Sequence, residues 1–310
     1  MRTGIFILAF LLSISCFSQK KLKPKTYYHL KEEPPASVKL PNGLWVDETE
    51  ITNFSWCEYM FWTTRIFGKN SPEYTACLPD TQVWLRTDSC LLDYARFYLK
   101  HPAYRDYPVV GISAQQAQAF CKWRSDRVFE YILIRDNRLE WNGNQTPESY
   151  FTIEKYFAGE YMDKIPDTSY HYIPSFSLPT MEEWFYTLKQ NDSLEYEVFG
   201  KSRKHSLRQH WLTPFINADS PSCTDRLGLH ATVPVTTRNF SKKINRYIYN
   251  LRGNVNELTL DGPVMGGSWK DSRRKIFESP IFFISLPTAY NGFRCVCHWV
   301  KVDEYIRELK

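Results

Sequence analysis

The sequence lacks the features of a nucleic-acid-binding protein and of an integral membrane protein. Its formal charge of +5 comes from 39 basic and 34 acidic residues spread along the chain, and no basic stripe accompanies a recognition motif. A nucleic-acid partner is therefore not expected. The apolar run at residues 5–12 is too short to cross a bilayer. No repeat with a period of roughly 20–50 residues is present, which excludes a solenoid or an array.

The first residues have the pattern of a secretory signal. One arginine precedes the apolar run, and small residues follow it. We predict a signal peptide at residues 1–18, with cleavage after Ser18. Cleavage before Cys16, which would then carry a lipid, stays open because the stretch "LSISC" resembles a lipobox. Either route predicts export to the periplasm or the outer membrane and cell surface of a Gram-negative bacterium, with membrane contact only through a lipid on Cys16.

The cysteines do not form an even set. Seven remain outside the signal region, so they cannot all pair within one chain. Cys77 and Cys90 flank a loop and could form a disulfide in an oxidising compartment. Cys121 lies in an apolar helical pattern and is expected to be a small buried side chain.

Hydrophobic residues make up 43 % of the chain and aromatic residues 16 %, enough for one large core filled by rings. Residues 19–41 are basic and then proline-rich, which predicts a linker or extended arm before a domain at 42–310. A strand near residue 45 should lead into a helix that begins about Asn53, capped by Thr52 or by Asn53 itself. Its core face is predicted from residues at helical spacing, namely Trp56, Tyr59, Met60 and Phe61.

Two further helix starts are marked by capping patterns. A short strand at 108–112 should meet Ser113 as the N-cap of a second helix. The buried face of that helix is predicted from Ala117, Phe120 and Cys121, with either Trp123 or the stem of Arg124. Thr180 and Glu183 form a capping box for a third helix. Between them, residues near 137–174 are polar and aromatic without a steady period, which predicts a surface insertion.

Five segments occur in an order that resembles one family. They are "VDETEITNFSWCEYMFW", "HPAYRDYPVVGISAQQAQAFCKWR", "SLPTMEEWFYTL", "NLRGNVNELTLDGPVMGGSW" and "NGFRC". Together they resemble the formylglycine-generating enzymes, or sulfatase-modifying factors, over nearly the whole mature chain. The resemblance implies an α+β fold that is a variant of the C-type lectin fold, with little regular secondary structure. The stretch "ACLPDTQVWLRTDSC" before "HPAYRDY" is similar to the gliding-motility lipoproteins K and J of the Bacteroidetes type IX secretion system.

The family's oxidases bind copper(I) through two cysteines that follow the Gly-Gly-Ser-aromatic motif. On this chain those positions fall on Asp271 and Ile276, and neither side chain supplies the soft thiolate that copper(I) prefers. The resemblance therefore implies a pocket at Ser268, Trp269, Asp271 and Arg294 without the oxidase chemistry, and no copper is expected.

Two other pairs of residues have side chains that can bind metals. Cys295 and Cys297 would share one face of a strand, but packing or a disulfide is the more common role for such residues. The family's sulfoxide-synthase branch holds iron through three histidines. His205 and His210 are the nearest pair, in a basic segment without a carboxylate, which is typical of a solvated face.

A structural calcium ion is implied by a second motif. The family's ligand spacing falls on Asn250, Gly253, Val255 and Glu257, and calcium prefers such all-oxygen sets. The alternative is that Asn250 and Glu257 only cap a turn. The family's buried Trp184, Trp269 and Phe293 are expected in the core, and Arg294 in a buried ion pair or a turn brace.

The expected function is an exported or lipid-anchored, non-catalytic binding or scaffold protein with an envelope protein or peptide as partner, in type IX secretion or gliding motility. One alternative is a formylglycine-generating oxidase or other metal-dependent enzyme with a rearranged site. Another is a lectin-like module that holds a sugar or peptide near Ser268.

Overall fold

The computed structural model describes residues 32–162, 164–199, 232, 235, 247–278, 281–282 and 286–308. The predicted signal peptide and the pair His205 and His210 lie outside the described residues. In the described part, no helix is long and apolar enough to cross a membrane.

The described residues form α-helices of 5 to 22 residues and strands of 2 to 6 residues. The α-helices are α1 (Asn53–Phe67), α2 (Pro72–Ala76), α3 (Val83–Thr87), α4 (Leu92–Phe97), α5 (Ala114–Arg135), α6 (Ile153–Phe157), α7 (Met181–Phe199), α8 (Arg273–Glu278) and α9 (Val302–Glu308). The strands are β1 (Ser37–Lys39), β2 (Trp45–Asp47), β3 (Tyr172–Ser177), β4 (Asn256–Leu258), β5 (Val264–Met265), β6 (Ile281–Phe282), β7 (Asn291–Gly292) and β8 (Val296–Lys301).

The strands form two four-stranded sheets. The first has the order β1-β2-β8-β3 with antiparallel neighbours, so the C-terminal β8 lies between β2 from near the start of the domain and β3 from its middle. The second has the order β6-β5-β4-β7, in which β4 and β7 are parallel. Long-range pairing of such short strands, with α5 packed on β3, confirms the α+β class expected from the sequence.

The predicted helix starts are confirmed by their hydrogen bonds. The Thr52 side chain accepts from the backbone N–H of Ser55 at the start of α1. Ser113 caps α5 in a reciprocal capping box. At α7, the backbone N–H of Glu183 donates to Thr180 Oγ1, and the Glu183 carboxylate accepts from the Thr180 backbone N–H. These local signals succeed because each satisfies backbone donors that a helix leaves unpaired.

The main core lies between α1 and α5. The Trp56 ring stacks on Phe120 at a centroid distance of 5.5 Å and meets the edge of Phe293 at 6.0 Å. Cys121 is buried in the same cluster, as predicted. The prediction that Phe61 lies on the core face is wrong, because 63 % of Phe61 is exposed.

Three predicted segments differ in the structure. Residues 108–112 form an extended connection and not the predicted strand. The Val109 N–H donates to Ile51 O, and Gly111 has a φ of 74°, which is outside the range of a β-strand. The arm predicted at 19–41 contributes β1, because its backbone pairs with β2 at the sheet edge. The surface insertion near 137–174 contains α6 and the start of β3, and it buries an aromatic cluster against α5 that includes Phe151, Tyr156 and Tyr161.

Candidate functional site

The loop that leads into β4 is built from residues with left-handed backbone. Asn250, Gly253 and Asn254 have φ values of 52°, 81° and 63°, a region that asparagine and glycine occupy more readily than other residues. This conformation brings two amide side chains onto one carboxylate. Glu50 Oε2 accepts from Asn250 Nδ2 at 3.1 Å, and Glu50 Oε1 accepts from Asn254 Nδ2 at 2.9 Å.

A buried ion pair lies beside that loop. Glu257 on β4 accepts from Arg294 Nε at 2.8 Å and from Arg294 Nη2 at 2.5 Å, so the contact is bidentate. The Trp184 indole N–H on α7 donates to the same carboxylate at 2.8 Å. Both charged side chains are 1 % exposed. The remaining guanidinium donors bind the backbone carbonyls of Asp47 and Tyr249. Arg294 thus forms a buried ion pair with Glu257, which is one of the two roles predicted for it.

The ion pair and the carboxylate of Glu50 are electrostatically linked. Burial raises the pKa of Glu50 to about 7, although the charge of Arg294 opposes the shift and the charge of Glu257 adds to it. Both carboxylates therefore lie in the field of one guanidinium, but only Glu257 is hydrogen-bonded to it. A buried carboxylate with a pKa this high takes up a proton near neutral pH.

The residues predicted to hold calcium lie together, and in this structure the side chains of Glu257 and Asn250 are bonded to protein groups. Both Glu257 oxygens are taken by Arg294 and Trp184. Asn250 presents its amide N–H to Glu50 and to the Val235 carbonyl. The guanidinium supplies the positive charge that calcium would supply. Among the described residues, no group of three or more His, Cys, Asp or Glu side chains could hold a metal ion.

The Gly266–Gly267 turn is closely packed. With φ values of 91° and 75°, both residues have a backbone that favours glycine. A Cβ on Gly266 would lie 2.7 Å from Leu251 O, and one on Gly267 would lie 2.3 Å from Ile276 Cγ1. Contacts this short exclude any side chain at either position. Trp269, two residues after Gly267, donates its backbone N–H to Asn254 O and its indole N–H to Ala289 O.

Asp271 and Ile276 both have structural contacts. Asp271 Oδ2 accepts from the Ser268 backbone N–H at 3.0 Å and from Ser268 Oγ at 2.7 Å, while Asp271 Oδ1 pairs with Lys275 Nζ at 3.1 Å. Ile276 on α8 has no exposed surface and fills the space against Gly267. Asp271 therefore closes the turn that leads into α8, and Ile276 anchors α8 against the glycines.

The residues of the predicted pocket are packed together. Ser268, Trp269 and Arg294 are buried, and only 15 % of the Asp271 side chain is exposed. Ile276 packs on Gly267 beside them. The pocket itself stays a prediction. Trp184, Trp269 and Phe293 are core residues, as predicted.

Two of the described cysteines form a close pair that their spacing did not reveal. Cys121 Sγ on α5 lies 3.5 Å from Cys295 Sγ, and both side chains are buried. Burial raises the pKa of the Cys295 thiol well above its ordinary value and that of Cys297 to about 12. Cys77 and Cys90 are free, with Cys77 buried in the core and Cys90 exposed, so the disulfide considered for them does not form in this structure.

A separate cavity of about 630 Å³ lies between α1 and α5. Sequence reasoning missed it. Its walls include Glu58 and Trp62 of α1, Trp123 and Arg127 of α5, and Trp141. The signal was present as stripes at helical spacing on both helices, but only their packing shows that the two stripes face each other.

Comparison with known proteins defines the class to which this fold and cluster belong. The profile of the sulfatase-modifying factor enzyme 1-like domain matches residues 17–298, which is most of the chain. The chain belongs to this family, the formylglycine-generating-enzyme-like sulfatase-modifying factors, and the predicted fold class is confirmed.

More distant similarities add little. A structure titled "Crystal Structure of CarF" matches with 16 % identity and a TM-score of 0.35, over 82 % of this chain and 85 % of that one. Treponema denticola variable protein 1 matches with 18 % identity and a TM-score of 0.34, over 82 % of this chain and 84 % of that one. A search of curated proteins gives no match.

Proposed function

We propose that this protein is an exported, non-catalytic member of the family that binds an envelope protein or peptide. We assign it to the subgroup that resembles the gliding-motility lipoproteins K and J, with a role in type IX secretion or gliding motility. Its membrane contact, if Cys16 is the first mature residue, is a lipid anchor.

The observation that carries the non-catalytic role is the environment of Asp271 and Ile276. A site that had lost its metal but kept its architecture would leave these side chains facing an accessible space. Here Asp271 is bound by Ser268 and Lys275, and Ile276 is packed on Gly267. Ile276 is part of the core and Asp271 is held by hydrogen bonds at the turn, which supports a structural use of the motif.

The segment that resembles the gliding-motility subgroup packs against this same region. Trp84 of α3 is 1 % exposed, and its ring lies nearly parallel to that of Trp269 at a centroid distance of 6.3 Å. Tyr94 and Tyr98 of the following segment contact the other parts of the Trp84 ring at 4.6 and 4.7 Å. The subgroup motif thus packs aromatic rings on Trp269, which follows the glycine turn, and this packing favours a scaffold role.

An enzyme with a rearranged thiol site is the alternative. Cys121 and Cys295 are close enough to bind one soft ion, but they lie in the main core and burial raises the pKa of Cys295. A protonated thiol in the core is a poor ligand and cannot reach a substrate peptide. This geometry favours a packing role for the pair.

Copper(I) titration in competition with a chromophoric chelator tests the proposal. The wild-type mature protein should not withdraw copper(I) from the chelator. Asp271→Cys/Ile276→Cys should gain binding, whereas the matched variant Asp271→Ser/Ile276→Val should not, because it makes similar volume changes without thiols. Tight binding by the wild-type protein that disappears in Cys121→Ala would overturn the non-catalytic assignment and select the rearranged site.

The partner is tested in the native envelope. In-cell cross-linking followed by mass spectrometry should recover one envelope protein in a constant ratio to this chain. The same cross-link should form between the two purified proteins. If the purified pair does not associate, the binding role is wrong even if the copper result stands.

A further inference from the structure

The cavity between α1 and α5 has a mainly apolar lining and is open to solvent. Its volume of about 630 Å³ falls within the roughly 300–1,000 Å³ common for ligand pockets. Trp62 of α1, Tyr131 of α5 and Trp141 lie on its wall. Tyr131 is 61 % exposed and Trp141 is 60 % exposed. Exposed aromatic side chains gathered around one cavity indicate that a further group covers them.

The described residues begin at Glu32, on the rim of this cavity. Pro35 and Ala36 form part of the wall. Just before them, the Glu32 carboxylate accepts two hydrogen bonds from the guanidinium of Arg135. Arg135 follows Ile134 on α5, and Ile134 is another wall residue. The chain that precedes Glu32 is therefore attached beside the cavity.

Residues 21–31 lie outside the described residues, and their sequence "KLKPKTYYHLK" has a strict period of two. The even positions are uncharged and mostly apolar, namely Leu22, Pro24, Thr26, Tyr28 and Leu30. The odd positions are mostly basic, namely Lys21, Lys23, Lys25, Tyr27, His29 and Lys31. Such alternation is typical of an extended segment with one apolar face and one basic face. Both predicted processing routes leave this segment in the mature chain.

The cavity offers a carboxylate to the basic face. Asp47 pairs with Arg124 and Glu130 pairs with Arg127, so these wall charges are compensated. Glu58 also lies on the wall and is exposed, and it has no hydrogen bond or ion pair with the described residues. A lysine next to Glu58 would compensate its charge. The cavity thus combines apolar surface with one uncompensated carboxylate, which complements a segment with an apolar face and a basic face.

The short connection favours this segment over an occupant from outside the chain. Leu30 and Tyr28 are two and four residues from Glu32. They lie at most about 7 and 14 Å from it, at roughly 3.5 Å per residue. A flexible connection this short gives an effective concentration on the order of millimolar at the cavity. A weak fit is then enough for occupancy, whereas a separate peptide or sugar needs an affinity of its own.

We propose that residues 22–30 lie in extended form along the α1–α5 cavity and close it. The side chains of Tyr28 and Leu30 pack against the exposed rings of Tyr131 and Trp141, and a lysine of the basic face pairs with Glu58. This contact within the chain removes apolar surface from water. It does not depend on the proposed envelope partner, so either proposal can fail without the other.

The test is carbodiimide cross-linking of the mature protein, which joins a lysine amine to a carboxylate with loss of water, followed by peptide mapping. Glu58 should be joined to one of the four lysines at 21–31. A mixture of isotope-labelled and unlabelled protein should show that both peptides come from the same chain. Glu58→Gln should remove this cross-link and leave the others.

Paired variants of the segment test which face is docked. Tyr28→Ser/Leu30→Ser should lower the yield of the Glu58 cross-link by about fivefold or more, because it removes the apolar side chains that hold the segment in place. Tyr27→Ser/His29→Ser is the matched control on the opposite face and should leave the yield unchanged.

A second pair of variants tests the cavity. Trp141→Ala should lower the yield of the cross-link, because it removes part of the wall. Phe61→Ala should not, since Phe61 is an equally exposed ring on α1 that does not line the cavity. The difference between the two variants therefore reports on the cavity and not on the loss of any exposed ring.

Three outcomes would overturn the proposal. One is that the segment is joined to Glu58 no more often than to Glu73 and Glu148, which are exposed and lie outside the cavity. Another is that the variants of the two faces have the same effect, or that the cross-link forms only between chains. The third is that the segment is not joined to Glu58 and its lysines bind phosphatidylglycerol vesicles, which would assign the basic face to a membrane surface.

Discussion

Removing Arg294 should destabilise the fold strongly, because it leaves a carboxylate buried without its cation. Glu257 is 1 % exposed and would keep only the Trp184 indole N–H as a donor in Arg294→Met. Breaking a buried pair from one side costs about 3–5 kcal/mol in the free energy of unfolding. For a domain of this size the melting temperature should fall by about 10 °C.

Two controls separate the ion pair from a calcium site. Glu257→Gln/Arg294→Met removes both charges and should recover part of the lost stability, since no buried charge remains unpaired. The melting temperature of the wild-type protein, measured by calorimetry, should not depend on a calcium chelator or on added calcium. A rise in melting temperature with calcium that vanishes in Glu257→Gln would refute this reasoning and restore the calcium interpretation, because an ion bound only by the folded state stabilises it.

Three further predictions concern other groups. Burial raises the pKa of Glu50 from 4.5 to about 7, so the stability that protonated Glu50 contributes is complete below pH 4.5 and is lost as pH rises through 7. The free energy of unfolding, measured against pH, should fall by about 3 kcal/mol over this range, and Glu50→Gln should not show the fall. An identical pH profile in the variant would contradict the assignment. Mild oxidation of the mature protein should link Cys121 to Cys295, whose sulfurs lie 3.5 Å apart; peptide mapping that finds either residue joined elsewhere would show this pairing to be wrong. Mass spectrometry of the native protein should find residues up to Ser18 removed, or a lipid on Cys16; an intact N-terminus would exclude export by either route.

Local signals in the sequence were sufficient for the helix starts. Thr52, Ser113 and Thr180 were recognised because a cap and its partner lie within three residues of each other. The family resemblance assigned Asp271 and Ile276 to the oxidase cysteine positions, and in the structure Asp271 lies at the turn after the two glycines while Ile276 lies on α8. These predictions needed only neighbours in sequence or a matching motif.

The contacts among Glu50, Asn250, Glu257 and Arg294 could not be predicted from neighbours in sequence. Arg294 reaches Glu257 across 37 residues and the Glu50 carboxylate reaches Asn250 across 200. The spacing around Asn250 fits calcium ligands equally well, and only the position of the guanidinium distinguishes the two. Similarly, the filling of the space beside Gly267 by Ile276 depends on how α8 returns to the turn.

The residues at the two oxidase cysteine positions, Asp271 and Ile276, serve hydrogen bonding and packing and not catalysis. The most direct test is co-expression of the mature protein with a sulfatase-type cysteine peptide, followed by mass spectrometry of the peptide with copper supplied. We predict that the peptide cysteine stays unmodified, with an active family member as the positive control. Formylglycine in the peptide that depends on this unmodified protein would contradict the claim.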